Sequence, residues 1–259
     1  MSKKHREIVQ KQFTKTRDAF SKFAVRDSAG IVAERVAFAK PEPENLTLDV
    51  ACGPGAFVLA IAPAVRFARG IDVTAAMLNQ AKELQRERQI VNACFDQGEA
   101  EQLPYPDGAF NLASCQFAFH HMPKPEDTLK EMHRVTRPEG RVFIVDTIGP
   151  ESDEKWELHN RIDIVRDPSH TASLRLTAFL KLFDDRGLEI LRQSIKRRPR
   201  SFNEWMLRAG LDSSHARYQE ARKLLEDSMP GDRAGYSAEP QGDDLLIVHY
   251  EGSFLLKKR

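Results

Sequence analysis

The segment Leu48-Asp49-Val50-Ala51-Cys52-Gly53-Pro54-Gly55 concentrates the chemistry of this chain. An apolar run ends in an acidic residue and breaks at once into a loop with two glycines. A second acidic residue, Asp72, closes another apolar run, Phe67 to Ile71. Two carboxylates at the tips of adjacent parallel strands, with glycines between them, describe a cradle for a nucleotide-like ligand. Glycine lets the backbone approach a ligand with no Cβ in the way. An acidic side chain at the second tip accepts hydrogen bonds from both ribose hydroxyls. A dinucleotide would require Gly-x-Gly-x-x-Gly, with its pyrophosphate on a helix N-terminus. Here the run is Gly53-Pro54-Gly55-Ala56-Phe57-Val58, so a valine stands where the third glycine belongs. Asp49 would also repel a pyrophosphate, whereas it suits an ammonium group.

Two histidine-bearing stretches follow. His120-His121 comes after Ser114-Cys115-Gln116-Phe117-Ala118-Phe119, a strand end at the carboxyl edge of the sheet, where open α/β folds bind ligands. Adjacent residues do not both face a pocket in regular structure, so one of the pair is the candidate; its alternative is a histidine hydrogen-bonded under a loop. Trp156, His159, Asn160, Asp163, Arg166 and Asp167-Pro168-Ser169-His170 gather further polar and titratable groups. His159 and Asp163 stand i, i+4 on one helical face, and Pro168 marks a helix end turning back toward the site. An exposed helix followed by a capped turn is the competing reading. No carboxylate-rich ligand set surrounds the histidines, so no metal is expected.

The elements that position these groups alternate as a parallel sheet requires. Strands are expected over Thr47 to Val50, Phe67 to Asp72, Val91 to Gln97, Phe110 to Ser114 and Arg141 to Asp146. Helices are expected over Ala56 to Ala62, Ala75 to Arg88 (with Thr74 as N-cap) and Pro125 to Val135. Pro138-Glu139-Gly140 reads as the turn into the fifth strand. Beyond Gly187, Leu188 to Lys196 reads as a strand, Ser201 to Asp227 as helical material, and Leu245 to Val248 and Phe254 to Leu256 as two last strands. The helical stretch, with Trp205 and Met206, serves either to cap the pocket or to make a homodimer contact. The basic run Lys196-Arg197-Arg198-Pro199-Arg200 reads as a solvated strand end, since no aromatic residues are interleaved with it.

Together these motifs resemble the class I S-adenosylmethionine-dependent methyltransferases, whose acidic-x-Gly-x-Gly-x-Gly loop holds the methionine end of the cofactor; Ala51 replaces the first glycine. Gly98-Glu99-Ala100-Glu101-Gln102-Leu103-Pro104-Tyr105, then Phe110-Asn111, is similar to the corresponding segment of the type 11 branch, which includes the ubiquinone and menaquinone C-methyltransferases. The resemblance spans about residues 45 to 150. It implies a Rossmann-like, doubly wound, seven-stranded and mostly parallel α/β sheet with an antiparallel C-terminal hairpin and helical lid elements. It implies a single domain divided into lid helices (1–44), cofactor core (45–150), substrate-recognition insert (151–187) and C-terminal strands with a helical insert (188–259).

The same resemblance implies S-adenosylmethionine as cofactor and S-adenosylhomocysteine as product. The implied contacts are Asp49, Ala51, Cys52, Gly53, Gly55, Asp72, Val73, Met77, Glu99, Ala100 and Gln116, with Glu99 and Ala100 on the adenine. The leading helices carry Val9, Phe13, Phe20 and Phe23 at helical intervals; these aromatics pack a helix on the sheet, wall the substrate pocket, or do both. Phe13, Phe20, His159 and Arg166 are the substrate-side candidates. A sulfonium methyl is electrophilic and is transferred by in-line displacement, so positioning and exclusion of water dominate. A phenol or quinol acceptor also needs a base, and histidine titrates near working pH. The resemblance favours His121, with His170 second and Asp146, at the tip of the fifth strand, as orienting carboxylate. The expected reaction is methyl transfer to carbon or oxygen of a small aromatic or quinone-like acceptor. A nicotinamide oxidoreductase or a non-catalytic binding module on the same sheet are the alternatives.

Composition agrees with an ordinary enzyme. Lys plus Arg total 39 against 38 for Asp plus Glu in 259 residues, so no global field favours nucleic acid or an anionic membrane. Three scattered cysteines point to a reducing compartment and a cytoplasmic setting. No apolar run approaches the roughly 20 residues of a membrane span, and Met1 to Arg6 lacks a signal-peptide core.

Overall fold

A computed structural model describes residues 1–26 and 29–258, with side chains for all of these except 18–26 and 29. Two helices, α1 (Lys3–Arg26) and α2 (Ala29–Ala39), precede the sheet. The strand–helix alternation then runs β1 (Leu46–Val50), α3 (Ala56–Ile61), β2 (Phe67–Asp72), α4 (Ala75–Glu87), β3 (Ala93–Gln97), β4 (Phe110–Gln116), α5 (Pro125–Val135) and β5 (Thr136–Ile148). An insert of α6 (Asp153–Arg166) and α7 (Leu176–Asp185) leads to β6 (Leu188–Ser201). The chain finishes with α8 (Phe202–Arg208), α9 (Ala216–Ser228), β7 (Glu239–Gln241) and β8 (Asp244–Lys258).

The sheet order is β3-β2-β1-β4-β5-β8-β6, with β7 hydrogen-bonded to β8 as an eighth strand among the described residues. Strands β3, β2, β1, β4 and β5 pair in parallel, and β8 runs antiparallel between β5 and β6. The strand order reverses between β1 and β4: the chain builds outward from β1 to β2 and β3 on one side, and from β4 to β5 on the other. Their carboxyl tips therefore open a crevice there, the place where such sheets bind ligands.

Side chains alternate across the sheet with the period of two that a strand imposes. Val142 and Ile144 of β5 join a core layer with Phe119, Phe179, Phe183 and Phe254, while Phe143 and Val145 join the opposite layer with Phe57, Val58 and Phe95. A third cluster, with Phe202, Trp205, Tyr218 and Tyr236, packs α6, α8 and α9 beyond the sheet. Gly55 sits at φ +76°, and a Cβ there would meet the Phe95 ring at 2.7 Å and the Ala81 methyl at 3.0 Å. Gly55→Ala is therefore expected to cost roughly 1–3 kcal/mol through overpacking and a disfavoured backbone, read as a lower denaturant midpoint at unchanged slope.

Four expectations change. The last two strands, Leu245 to Val248 and Phe254 to Leu256, are one continuous β8, because residues 246–258 find partners on β6 and β5 and its first residues pair with β7. The fifth strand begins at Thr136, and Pro138-Glu139-Gly140 is accommodated where the register against β4 shifts between Phe110 and Leu112. Thr74 makes no side-chain capping bond; Asp72 Oδ1 takes the Thr74 N–H instead, at 2.8 Å. The basic run is not a solvated end. It is the second half of a β6 longer than expected, in which alternate residues Lys196, Arg198 and Arg200 are half-buried and Arg197 and Pro199 exposed. No helix among the described residues is long and apolar enough to cross a membrane.

Candidate functional site

The tips of β1, β2 and β4 line one large cavity of about 420 Å³, roofed by α1 and α2 and extended by α6, α8 and the outer ends of β6 and β8. At the β1 tip the backbone turns through positive φ at Ala51 (55°) and Gly53 (53°). An alanine in that region stores strain that a glycine would not. A Cβ on Gly53 would meet nothing within 4 Å, so this position opens on the cavity. Asp72 at the β2 tip holds the loop in place: its Oδ2 accepts the Gly53 N–H at 2.9 Å. Asp49 is buried, and its one side-chain partner among the described residues is the Ser114 hydroxyl, which donates at 2.6 Å. Burial without a cation pushes the Asp49 carboxyl up to about 7, the Ser114 bond offsetting part of this and Asp72 adding to it. Gln116 Nε2, also on the cavity, is buried with no partner among the described residues.

Helix α1 is fastened across these tips. Gln10 Nε2 donates to the Val73 carbonyl at 2.9 Å, and His5 Nε2 lies 2.7 Å from the His121 carbonyl. This puts Gln12, Phe13 and Thr16 over the cavity, with Phe13 edge-on to His121 at 5.1 Å between centroids. On α2, Arg35 stacks on the Phe117 ring at 4.6 Å.

Beyond β4 stand three histidines. His120 Nδ1 lies 2.5 Å from Asp146 Oδ1, and the other oxygen of Asp146 accepts the Phe119 N–H at 2.8 Å. Parallel pairing of β4 with β5 sets Gln116 opposite Val145, which brings the turn after β4 over Asp146 at the tip of β5. Burial works against a charged His120, but the charge of Asp146 and the hydrogen bond to it outweigh burial, so His120 titrates above the ordinary histidine range. His121 differs. Its Nδ1 lies 3.1 Å from the Ser169 hydroxyl, and burial together with the nearby His120 and His170 holds it well below that range. His170 Nε2 faces the Asn160 carbonyl oxygen at 2.9 Å; burial, then repulsion from His120 and His159, against the pull of Asp163, hold it down at about 4.

A protein-family model described as a methyltransferase domain matches residues 48–144. The uncharacterized methyltransferase YcgJ of Bacillus subtilis is 31% identical over 190 residues, 73% of each chain. The chain belongs to the class I S-adenosylmethionine-dependent methyltransferases. The solved structure of YcgJ superposes with a TM-score of 0.78 at 24% identity, over 88% of this methyltransferase and 98% of that chain, which shows the shared fold. A demethylmenaquinone methyltransferase of Geobacillus is 34% identical over 106 residues, 40% of this methyltransferase and 45% of that protein, so the match covers under half of the relative. A geranyl diphosphate C-methyltransferase of Streptomyces coelicolor, solved with S-adenosylhomocysteine, shares the fold at 16% identity and a TM-score of 0.61, over 88% of this chain and 75% of that one.

The cofactor of this methyltransferase is S-adenosylmethionine, and the β1 tip fits it. A buried carboxylate that lacks a cation, an unpartnered amide on Gln116 and an open glycine are complementary to an α-ammonium and carboxylate at the methionine end. Of the contacts expected from sequence, Asp49, Ala51, Cys52, Gly53, Asp72, Val73, Met77, Ala100 and Gln116 line the cavity. Gly55 does not; it makes room for Phe95. Glu99 does not either: its carboxylate meets Arg6 of α1 at 2.7 Å, and Glu101, two residues on, lines the cavity in its place.

On the acceptor side the methyltransferase brings together Phe13, His121, His170 and Arg166. Phe20 lies outside the described side chains. His159 is structural: it stacks on Tyr236 at 4.2 Å, and its Nδ1 lies 3.0 Å from the Ala234 carbonyl. Asp146 orients a histidine, but that histidine is His120 rather than His121, because Asp146 already occupies the space under the first residue of the pair. The sequence reading preferred His121 to His120 and left Trp205 between pocket cap and subunit contact; the cavity-lining residues it did not single out for the site are Glu101, Arg198, Arg200 and His249. A period-two reading of 194–200 would have turned Arg198 and Arg200 to one face; nothing local distinguished His120 from its neighbour.

Proposed function

We propose that this methyltransferase methylates carbon or oxygen of a small, flat, partly apolar acceptor of phenolic or quinone-like type, with His120 as general base and Asp146 as its positioning residue. The observation that carries this is the 2.5 Å contact between His120 Nδ1 and Asp146 on the same cavity as the Asp49–Gly53 loop. With Nδ1–H held by Asp146, Nε2 carries the lone pair and has no partner among the described residues. A base must also be strong enough to take a proton: His120 titrates above the ordinary range, whereas His121 and His170 are held too low. When bound, the cofactor supplies an electrophilic methyl. The protein's own residues then position the acceptor between Phe13, Phe117 and Trp205, exclude water beneath α1, and remove the acceptor's proton at His120 Nε2. The match to a demethylmenaquinone methyltransferase supports a quinone-like acceptor.

The test is formation of S-adenosylhomocysteine across a panel of phenols, catechols and quinols kept reduced. Turnover on members of that panel is expected. Tight cofactor binding with no turnover on any of them would overturn the acceptor class.

Cofactor affinity should also follow pH. The apo Asp49 carboxyl titrates near 7, and its ionised form is the one that pairs with the α-ammonium. Below pH 7 a proton must leave Asp49 before binding, so affinity for S-adenosylhomocysteine falls as pH drops, by up to about tenfold per unit. Calorimetry in buffers of different ionisation heat should show proton release on binding at pH 6 and none at pH 8.

A further inference from the structure

One end of the cavity is built from arginines that neither the cofactor nor the base requires. Strand β6 lies four positions along the sheet from β1, so its outer end is remote from the glycine loop. Antiparallel pairing sets Arg198 opposite His249 and Arg200 opposite Ile247, which turns Arg198, Arg200 and His249 to one face. Arg166, from the end of α6, and Arg208, from the end of α8, complete the group on the cavity wall.

Most of these cations have partners. Arg198 and Arg35 share Glu251, each at 2.9 Å. Arg208 pairs with Glu204. Arg166 donates from Nε to the Trp205 carbonyl at 3.0 Å, stacks on the Trp205 ring at 4.7 Å, and feels the charges of Asp167 and Asp163. Arg200 is the exception: it is half-buried on the cavity, and its guanidinium makes no hydrogen bond or ion pair with the described residues. Burial, then repulsion from Arg208 and Arg166, against the weaker pull of Glu251 and Glu204, hold its guanidinium down at about 10, so it remains charged at neutral pH. Beside it His249 is buried, and neither of its ring nitrogens has a partner among the described residues. Burial and the charge of Arg200 hold that imidazole well below the ordinary range, so it is neutral and keeps one N–H to donate. An unpaired guanidinium and an unsatisfied imidazole cost free energy in an interior unless a ligand compensates them. The planar fork of arginine matches a carboxylate or a phosphate with two parallel, charge-assisted hydrogen bonds.

We propose that the methyl acceptor is an anion, whose carboxylate or phosphate group docks on Arg200 beside His249 while its ring extends toward His120. This rests on the methyl-transfer reading of the same cavity and narrows its acceptor class to acidic aromatic compounds.

The test is calorimetric titration of the full chain, saturated with S-adenosylhomocysteine, using three probes of one shape: benzoate, phenyl phosphate and the neutral benzamide. At least one anion is expected to bind roughly tenfold or more tightly than benzamide, and the better anion identifies carboxylate or phosphate as the group recognised. Arg200→Gln is expected to abolish that preference while S-adenosylhomocysteine and benzamide bind as before; Arg200→Lys, which keeps the charge but loses the fork, should fall between. Equal binding of all three probes to the wild type, absence of anion binding, or an unchanged preference in Arg200→Gln would overturn the proposal. Failure of the wild type to bind S-adenosylhomocysteine would instead strike the methyl-transfer reading, so the two failures are distinct. Should Arg200→Gln lose cofactor binding through misfolding, the wild-type comparison and Arg200→Lys still decide.

Discussion

His120→Ala is expected to lower kcat by roughly 10²–10⁴-fold, the range spanned by loss of a positioned general base, and to leave S-adenosylhomocysteine affinity close to wild type. The side chain is held by Asp146 through a single nitrogen and otherwise faces the cavity, so its removal deletes a proton acceptor without disturbing the glycine loop. Asp146→Asn supplies the readout that a structural role would not move. The Asp146 carboxylate raises the His120 pKa against the opposing effect of burial, because an anion favours the imidazolium. As the base, His120 acts in its neutral form, so kcat/KM rises with pH through that raised value. Replacing the carboxylate by an amide lowers the His120 pKa; the rising limb should move to lower pH while the maximal rate falls with the weaker, less well oriented base. Full activity in His120→Ala, accompanied by its loss in His121→Ala, would return the base to His121.

Asp72→Ala is expected to weaken cofactor binding by roughly 10²-fold or more. Burial pushes this carboxyl up, and the amides of Thr74 and Gly53 hold it partly down. Each oxygen accepts one of those amides, Thr74 N–H at 2.8 Å and Gly53 N–H at 2.9 Å, which leaves further lone pairs for the ribose hydroxyls. Hydrogen bonds to a charged group contribute about 1.5–3 kcal/mol each, and two of them account for the expected loss. The Thr74 amide, which is buried, and the half-buried Gly53 amide also lose their acceptor, so the variant should lose roughly 1–3 kcal/mol of stability. Asp72→Asn separates the two effects, since the amide keeps one acceptor but no charge. Calorimetric titration with S-adenosylhomocysteine beside thermal unfolding measures both, and unchanged affinity in Asp72→Ala would remove the residue from the cofactor site.

The parallel sheet and the glycine loop were legible in the sequence because each is written locally. Strand β2, helix α5 and the start of α4 follow from apolar periodicity and from the punctuation of glycine and proline, which act over a few residues. The position of Asp49 and Asp72 at two strand tips follows in the same way, and the family pattern adds the identity of the cofactor.

What only the tertiary structure decided concerns partners that are distant along the chain. His120 and His121 share one local environment; what distinguishes them is Asp146, 26 residues later, which the register of β4 against β5 brings to His120. Glu99 and Glu101 were separated by Arg6 of α1, which claims the first and leaves the second on the cavity. Arg198 and Arg200 look like a solvated basic run until β8 pairs with β6 and α8 packs on their end, burying one face of a strand that composition alone would expose. Local sequence determines which residues stand at a strand tip or on a helix face, because backbone dihedrals and hydrophobic period are short-range. Strand register and helix docking determine which charges meet there, because a buried group takes its pKa and its partner from whatever the fold brings within a few ångströms.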